Sequence, residues 1–324
     1  MPIASIVIPA YRVTGYIAET LESVFRQTST GYEVIVVNDC CPDTPALEQA
    51  LEPYRDRIRY LKHEQNKGAS AARNTGILAA ESEFVVFLDA DDLLEPNYLA
   101  VQLGMMKADP SIDVLYCNAR FFGGDYMTGR TVMELYPSEG EADFIGLISL
   151  RCVVNVAVTA RRETLVRVGL MDVNQRLCED FEIWLRIANK GGKIAYHRQV
   201  LHQYRRRGGS QSSDNRGMIR SQIGLYEKVA QNWKLTPAER EALVKQREQF
   251  CADLALTEGK LAFEAGNMAE AQAHLADANR VYRKWKLSAV LLLLRVAPGL
   301  LRWVSHMRVR MRSAPDAHAV EHPR

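Results

Sequence analysis

The chain has 324 residues, enough for one large domain or two modest ones with a sizeable core. Apolar residues make up 47% and charged residues 25%, which is typical of globular proteins and excludes a disordered chain. A formal net charge of +2 predicts no general affinity for nucleic acid. The positive charge is concentrated near the end of the chain, because residues 281–324 contain nine Lys/Arg and only two Asp/Glu.

The first third of the chain alternates short apolar runs with helical patterns. The apolar runs do not alternate with polar residues, which indicates strands buried on both faces. The βαβ order predicts an α/β fold with a mostly parallel central sheet flanked by helices. The predicted strands are Ile3–Pro9, Glu33–Asn38, Ile58–Leu61, Phe84–Leu88 and Val114–Cys117, and the predicted helices are Ile17–Gln27, Thr44–Tyr54, Ala69–Ala80 and Asn97–Lys107.

The remainder of the chain is less regular and then helical. We predict a strand at Val153–Ala160, a helix at Phe181–Asn189 and a flexible loop at Arg205–Gly217, which is rich in Gly and Ser. From about residue 218 to 285 the pattern is helical. Within it, Gly259–Ala278 resembles a tetratricopeptide-type hairpin, with an ordinary helical hairpin as the alternative.

These patterns divide the chain into three parts. We expect an α/β domain at 1–217, with a regular half at 1–117 and a less regular half at 118–217. A helical extension follows at 218–285, and a basic amphipathic tail at 286–324. In that tail the residues Arg295, Arg302, His306 and Arg310 share one helical face, and Leu291, Leu294, Leu301 and Val304 share another. The pattern predicts peripheral contact with an anionic membrane over 286–312, with docking on protein as the alternative.

Cysteine usage and the N-terminus bear on location. Six cysteines without framework spacing indicate reduced thiols in a cytoplasmic protein. We interpret the adjacent pair Cys40 and Cys41 as turn residues, with a metal or redox site as the alternative. The chain begins as an apolar strand without the basic and apolar regions of a signal peptide. No window reaches the roughly 18–20 apolar residues of a spanning helix.

An acidic cluster follows one predicted strand. In FVVFLDADDLLEP the strand from Phe84 ends in carboxylates at Asp89, Asp91 and Asp92. Carboxylates are hard oxygen ligands for Mg²⁺ or Mn²⁺, and ligand sites in open α/β sheets lie at the carboxyl ends of strands. The cluster therefore predicts a metal site that bridges to phosphates. The alternative is a solvated acidic turn that caps the next helix.

Three further motifs accompany this cluster. VVNDCCPD places Asp39 at the end of another strand, where an acid accepts hydrogen bonds from a ribose or a base. NKGASAARNTG contributes Gly68, which permits close backbone approach, and Arg73, which offers a fixed fork of donors. CEDFEIWLRIA places Asp180 before an amphipathic helix. Each has a structural alternative: Asp39 as a turn cap, Arg73 as a surface residue and Asp180 as a helix N-cap.

The combination of motifs resembles the family-two glycosyltransferases, inverting enzymes with the GT-A fold. The resemblance covers Ile3 to about Ser212 and is carried by VIPAYR, VVNDCCPD, NKGASAARNTGI, FLDADD and ED followed by WLRIA. One motif departs from the family. It usually has two acids followed by Gly-Ser, whereas this chain has Asn38, Asp39, Cys40 and Cys41. We expect catalysis to survive, because the acid Asp39 remains. We also expect a shift in the preference for the base of the nucleotide.

The resemblance implies that 1–217 is a GT-A glycosyltransferase domain, with a nucleotide-binding half at 1–117 and an acceptor and catalytic half at 118–217. It also implies a role for each matching residue. Asp180 would be the catalytic base, and Asp91 would bind the metal ion, Mn²⁺ or Mg²⁺. The residues expected to bind the nucleotide are Pro9, Tyr11, Asp39, Asn66, Gly68, Arg73, Asp89, Tyr204 and Arg205, the last two in a loop that closes over the diphosphate.

The implied reaction moves a sugar from a nucleoside-diphosphate sugar to an acceptor hydroxyl, with inversion. A UDP-sugar is the expected donor, and a glycan or lipid-linked acceptor in surface polysaccharide or glycolipid assembly is the expected partner. We expect no nucleic-acid partner, a homodimer formed through the C-terminal hairpin, and a position at the cytoplasmic face of the inner membrane.

Two alternatives remain. A sugar nucleotidyltransferase would need a Gly-rich segment after the first strand, where PAYRVTGY offers only Gly15. A non-catalytic nucleotide-sugar-binding scaffold would not need both Asp91 and Asp180.

Overall fold

The computed structural model describes residues 1–124, 127–154, 157–207, 214–297 and 299. By their internal contacts the residues form two compact units, Met1–Val244 and Lys245–Arg324. The predicted domain boundary after residue 217 falls inside a helix, Asn215–Asn232, and the predicted start of the tail falls at the beginning of the helix Trp285–Val296. The tail residues Arg302, His306 and Arg310 lie outside the described residues.

The first unit is built on an eight-stranded sheet with the strand order β3-β2-β1-β4-β7-β6-β8-β5. The strands are β1 (Ser5–Ala10), β2 (Glu33–Asn38), β3 (Arg59–Lys62), β4 (Phe84–Phe87), β5 (Leu93–Leu94), β6 (Ile112–Phe122), β7 (Val158–Arg161) and β8 (Lys193–Arg205).

Strand directions make the sheet mostly parallel, as predicted. β1 pairs in parallel with β2 and β4, β2 with β3, and β6 with β8. β7 is antiparallel to both β4 and β6, and the short β5 is antiparallel to β8. The GT-A arrangement expected from the sequence is therefore confirmed, with an antiparallel strand inserted between its two parallel groups.

Helices flank this sheet and continue into the second unit. They are α1 (Ile17–Phe25), α2 (Thr44–Leu51), α3 (Ala69–Ala79), α4 (Tyr98–Ala108), α5 (Val132–Leu135), α6 (Phe144–Ile148), α7 (Arg162–Val168), α8 (Glu179–Asn189), α9 (Asn215–Asn232), α10 (Pro237–Ala265), α11 (Met268–Tyr282) and α12 (Trp285–Val296). A 3₁₀ helix, Glu52–Arg57, replaces the end of the predicted helix Thr44–Tyr54.

Helix α3 lies directly against the central strand. A Cβ atom on Gly76 would lie 2.3 Å from Cγ1 of Val7 in β1, so only glycine allows this close approach. Val7 itself is fully buried, as are its neighbours Ile6 and Ile8. The close packing fixes the position of the whole helix, including Arg73 one turn earlier.

The largest difference from the sequence prediction is β8. Its 13 residues were not predicted as a strand, and Tyr204 and Arg205 lie at its end instead of in a loop. The sequence of β8 mixes apolar, basic and aromatic residues without a two-residue period, and its pairing with β6 contains register shifts that interrupt the alternation of faces. β7 begins later than the predicted strand Val153–Ala160, of which residues 155 and 156 lie outside the described residues.

The second unit contains the predicted helical hairpin. Gly259 in α10 faces Leu275 in α11, and a Cβ atom on Gly259 would lie 2.8 Å from Cγ of Leu275. Ala271, Leu275 and Ala278 are buried along α11. The hairpin is confirmed as a pair of helices, and its tetratricopeptide character stays a prediction. Within the described ranges, no helix combines the length and apolar character needed to cross a bilayer.

Candidate active site

The predicted site residues gather at one edge of the sheet. Ala10 at the end of β1 is in register with Asn38 at the end of β2, and β4 runs parallel beside β1. The residues that follow these strands, including Tyr11, Asp39 and Asp89, therefore emerge at the same edge. This is the edge where open α/β sheets bind ligands.

Asp39 organises the loop before α3. Its side chain is buried, and its carboxylate accepts hydrogen bonds from the backbone N–H of Lys67 at 2.9 Å and of Gly68 at 2.7 Å. Asn66 donates from Nδ2 to the Asp39 carbonyl at 3.1 Å. Gly68 has φ +89° and ψ 166°, a conformation that side chains disfavour. The predicted nucleotide residues Asp39, Asn66 and Gly68 thus form one connected turn.

His63 completes this turn and was not identified from the sequence. Its Nδ1 lies 2.7 Å from Asp39 Oδ1, and its Nε2 lies 2.8 Å from Thr75 Oγ1 in α3. The ring is nearly buried. The available signal was its position directly after β3, at the same sheet edge as Asp39.

The unusual Asn38 and the two cysteines preserve the turn after β2. The Asn38 amide donates to Tyr60 Oη at 2.7 Å and accepts from the backbone N–H of Cys41 at 2.8 Å. Cys40 has φ +53°, the left-handed conformation that glycine favours. Cys41 Sγ accepts from Arg12 N–H at 2.9 Å, and burial raises the pKa of this thiol. These contacts give both cysteines a structural role in the turn.

Arg73 joins two of the motifs. Its guanidinium is buried, donates from Nη2 to Asp89 at 2.8 Å and from Nη1 to Glu179 at 2.8 Å. Burial alone would lower the pKa of Arg73, but the charges of Asp89 and Glu179 raise it above its ordinary value. Arg73 is therefore a permanent cation that holds the acidic turn after β4 against the start of α8. Its interpretation as a surface residue is wrong.

Asp91 is paired with an arginine from the chain after β8. Arg207 donates from Nε to Asp91 Oδ2 at 2.5 Å. Burial, followed by the charge of Asp89, raises the pKa of Asp91, and Arg207 opposes this shift. Arg207 was not among the predicted site residues, although it belongs to the predicted loop Arg205–Gly217.

Asp92 fastens β8 to the acidic turn. Its carboxylate accepts from the backbone N–H of Arg205 at 2.8 Å and lies 2.8 Å from Nε2 of His202, with both side chains fully buried. Burial raises the pKa of Asp92 to about 6, and His202 opposes this shift. The Arg205 guanidinium donates to the Asp91 carbonyl at 2.7 Å and to Glu19 at 2.5 Å.

The remaining predicted residues have different exposures. Tyr11 directly follows β1 and is 38% exposed, and Pro9 is half-buried within β1. Tyr204 packs its ring on Phe121, with centroids 5.4 Å apart. The Tyr204 ring thus takes part in a small apolar cluster, so its nucleotide contact stays a prediction.

Asp180 lies in the first turn of α8 and is half-buried. The N-cap of this helix is Cys178, so the interpretation of Asp180 as an N-cap is wrong. In the described part of the chain, the one hydrogen bond to its carboxylate comes from the Phe181 N–H at 2.7 Å. Burial and the charge of Glu179 raise the pKa of Asp180 to about 6, while Arg73 opposes the shift. Such a carboxylate is a competent general base near neutral pH.

The acidic turn fits a hard divalent cation bound together with a phosphate. The described residues contain no group of three or more His, Cys, Asp or Glu side chains arranged for a metal ion. Mg²⁺ is usually held by one or two carboxylates plus substrate phosphates, so the single carboxylate of Asp91 is compatible with a site of that type.

Comparison with known proteins supports the same family. The family described as "Glycosyl transferase family 2" matches residues 5–166, which is half of the chain. An uncharacterized glycosyltransferase of Haemophilus influenzae is 27% identical over 196 residues, which cover 59% of this chain and 64% of the relative. This chain therefore spans slightly less than two-thirds of that relative's length.

Two further relatives have more specific descriptions. The putative teichuronic acid biosynthesis glycosyltransferase TuaG of Bacillus subtilis is 27% identical, with 70% of this chain and 88% of TuaG covered. The Escherichia coli UDP-Glc:alpha-D-GlcNAc-diphosphoundecaprenol beta-1,3-glucosyltransferase WfgD is 33% identical over 40% of this chain and 51% of WfgD.

Solved structures show the same fold. S. aureus TarS 1-349 in complex with UDP-GlcNAc superposes with a TM-score of 0.65 at 19% identity, covering 91% of this chain and 87% of TarS 1-349. The mannosyltransferase PcManGT from Pyrobaculum calidifontis, in complex with GDP-Man and Mn²⁺, has a TM-score of 0.62 at 20% identity, covering 90% and 79%. The motifs, the sheet and the family match agree: the chain belongs to glycosyl transferase family 2.

Proposed function

We propose that this chain transfers a sugar from a nucleoside-diphosphate sugar, with UDP as the favoured nucleotide, to an acceptor hydroxyl during assembly of a surface glycan. TuaG is described as acting in teichuronic acid biosynthesis and WfgD as using UDP-Glc and a lipid diphosphate-linked acceptor, which supports both parts of the proposal. TarS in complex with UDP-GlcNAc supports UDP as the nucleotide.

The observation that carries the proposal is the Arg73 bridge. The Arg73 guanidinium lies 2.8 Å from both Asp89 and Glu179, so it holds the acidic turn and the start of α8 together. Asp180 follows Glu179 in the first turn of α8, which supports a role for its carboxylate beside the proposed donor site. Positioning of this kind lowers the entropic cost of bringing two reactants together.

The proposed reaction is a single displacement at the anomeric carbon of the donor. Asp180 accepts the proton of the acceptor hydroxyl, whose oxygen forms a bond to that carbon. The bond between the carbon and the diphosphate oxygen breaks at the same time, and the electron pair leaves with the nucleoside diphosphate. Attack opposite the leaving group inverts the anomeric centre.

The acidic turn would handle the charge of the leaving diphosphate. We assign Asp91 as the protein ligand of Mn²⁺ or Mg²⁺, and Asp89 to the donor ribose. When bound, such an ion offsets the negative charge that develops on the departing diphosphate. Arg207 lies against Asp91 and offers guanidinium N–H groups suited to phosphate oxygens.

The turn held by Asp39 would form the nucleotide pocket. Asp39 already accepts bonds from Lys67, Gly68 and His63, so its orientation is set before a ligand arrives. The exposed ring of Tyr11 offers a stacking surface for a base at the mouth of this pocket. Asn66 and Pro9 would line the same pocket.

The two alternatives receive less support. Family membership favours sugar transfer over nucleotidyl transfer. A non-catalytic scaffold would not require a carboxylate with a pKa near 6 at Asp180. A cytoplasmic location remains a prediction from cysteine usage.

Release of nucleotide from a panel of UDP-, GDP- and dTDP-sugars tests the proposal. We expect one nucleotide class to be turned over with Mn²⁺ or Mg²⁺, and turnover to be lost in Asp180→Asn while the same nucleotide still binds. Asp56→Asn is the matched control, because Asp56 is exposed on the 3₁₀ helix. Nucleotide binding without turnover of any donor, with and without candidate glycan acceptors, would instead favour the scaffold.

A further inference from the structure

Helix α12 carries an apolar face that is exposed in the part of the chain that the structure describes. Trp285 is 75% exposed, Leu292 62% and Val296 68%. With Ala289, these residues are spaced by four, three and four, which places them on one side of the helix. On the other side, Leu294 is buried.

The charges around this face are all positive. Lys284 and Lys286 flank its beginning, and Arg295 flanks its end. Residues 281–315 contain eight Lys/Arg and no Asp/Glu, and 28 residues of the sequence follow Val296, the last residue of α12. The apolar face is therefore part of a longer basic segment without any acidic residue.

We propose that α12 lies on the surface of an anionic lipid bilayer, with Trp285, Leu292 and Val296 inserted at the headgroup level and the basic residues on lipid phosphates. An apolar face with Trp and Leu, bordered by Lys and Arg, is the composition of an interfacial helix. Tryptophan is also favoured at membrane–water interfaces, because its ring is apolar with one polar N–H.

Charge complementarity favours this partner over a second copy of the chain. Two copies joined through α12 would bring together two segments whose charged residues are all positive. Like charges at an interface oppose association. A bilayer with anionic lipids supplies a continuous negative surface, to which each nearby Lys or Arg adds attraction. The inference does not depend on the proposed transferase activity, since it uses no residue of the candidate active site.

Vesicle flotation of the full chain tests the proposal. We expect the protein to float with vesicles of about one-third phosphatidylglycerol in phosphatidylcholine, and not with phosphatidylcholine alone. Binding should fall sharply at about 0.5 M salt, where charges are screened within a few ångströms. Equal flotation with both vesicle types would overturn the proposal.

Point variants locate the contact. Leu292→Glu should reduce flotation on the order of tenfold or more, because a carboxylate would enter both the apolar face and the negative surface field. Lys284→Glu with Lys286→Glu should do the same, and Val166→Glu, at a residue 43% exposed on α7, should not. All three should keep the melting temperature of the unmodified chain, since the altered side chains are exposed.

Two results would contradict the assignment. Unchanged flotation of Leu292→Glu would show that α12 does not contact lipid. Absence of flotation, together with a concentration-dependent doubling of mass that Leu292→Glu abolishes, would assign the face to a second copy. Nucleotide release by Leu292→Glu should remain normal with soluble acceptors, which separates this test from that of the transferase activity.

Discussion

Arg207 donates a hydrogen bond from Nε to Oδ2 of Asp91 at 2.5 Å, so the carboxylate proposed to bind metal is already paired with a cation. On the proposed assignment, a divalent ion and this guanidinium would compete for the same oxygen. A diphosphate bound with the ion would offer Arg207 an alternative anion. The pair would thus link metal binding to donor binding.

Arg207→Ala should tighten binding of Mn²⁺ to the nucleotide-free protein. Removing a neighbouring positive charge favours a cation on Asp91 by roughly 1 kcal/mol after solvent screening, or about fivefold in affinity. Affinity for the nucleoside diphosphate should fall in the same variant, because a phosphate contact is lost. Titration of Mn²⁺ by electron paramagnetic resonance measures the first effect, with Arg55→Ala as the exposed control. Unchanged Mn²⁺ affinity would mean that Arg207 does not compete at this site.

Arg73→Lys should destabilise the first unit. The single ammonium nitrogen of lysine cannot replace the two guanidinium nitrogens that donate to Asp89 and Glu179. One of these two carboxylates therefore loses its partner. Breaking such a pair costs about 3–5 kcal/mol. Arg167→Lys is the control, because the Arg167 side chain is 59% exposed and an ion pair of an exposed arginine is worth less than about 1 kcal/mol. Urea unfolding compares the two, and equal costs would show that the buried bridge contributes no more than a surface pair.

The pH dependence of transfer should follow Asp180. A base must be unprotonated, and the pKa of Asp180 is raised to about 6, chiefly by burial. The rate at limiting donor should therefore be flat above about pH 7 and fall about tenfold per unit below the pKa. A plateau that extends to about pH 4.5 would place the base elsewhere, with Glu179 as the next residue to test.

The same shift predicts a stability effect of Asp180→Asn. The folded pKa lies above the ordinary 3.8, so the folded chain binds this proton more tightly than the unfolded chain. The contribution of Asp180 to the free energy of unfolding is fully present below its ordinary pKa and is lost as the pH rises through about 6. At about pH 7.5 the variant should be more stable than the unmodified chain by about 1–3 kcal/mol, and near pH 4 the difference should vanish. Asparagine keeps the acceptor for the Phe181 N–H, so a destabilised variant at the higher pH would contradict the assignment.

Gly68→Ala should destabilise the turn held by Asp39. A Cβ atom meets no neighbour there, but φ +89° is strained for any side chain. The expected cost is about 1–3 kcal/mol. Gly15→Ala is the matched control, since it also meets no neighbour and has no positive φ. Thermal unfolding of both variants checks this, and equal melting temperatures would show that the turn tolerates a side chain.

Much of the first unit could be predicted from sequence because its signals are local. β2 was predicted with its observed bounds, and β1, β3 and β4 to within two residues at each end. Buried parallel strands give continuous apolar runs, and the residues that follow them are placed at a common edge by topology alone. Asp39 and Asp89 were found in this way.

The contacts missed from the sequence are all distant in the chain. Arg207 is 116 residues from Asp91, and His202 is 110 residues from Asp92. β8 carries no two-residue period, and its pairing with β6 contains register shifts. β7 enters the sheet antiparallel between β4 and β6. Such pairings are set by tertiary packing, which local periodicity does not record.

The most direct test is a thermal-shift panel of UDP, GDP, dTDP and CDP, each with and without Mn²⁺, on the unmodified chain, Asp91→Asn and the control Asp56→Asn. Ligands that bind only the folded state raise the melting temperature by mass action, so no acceptor is needed. We expect a shift with UDP that requires Mn²⁺, is absent in Asp91→Asn and persists in Asp56→Asn. A UDP shift that is equal in all three proteins, or independent of Mn²⁺, would contradict the assignment of the acidic turn to the donor diphosphate.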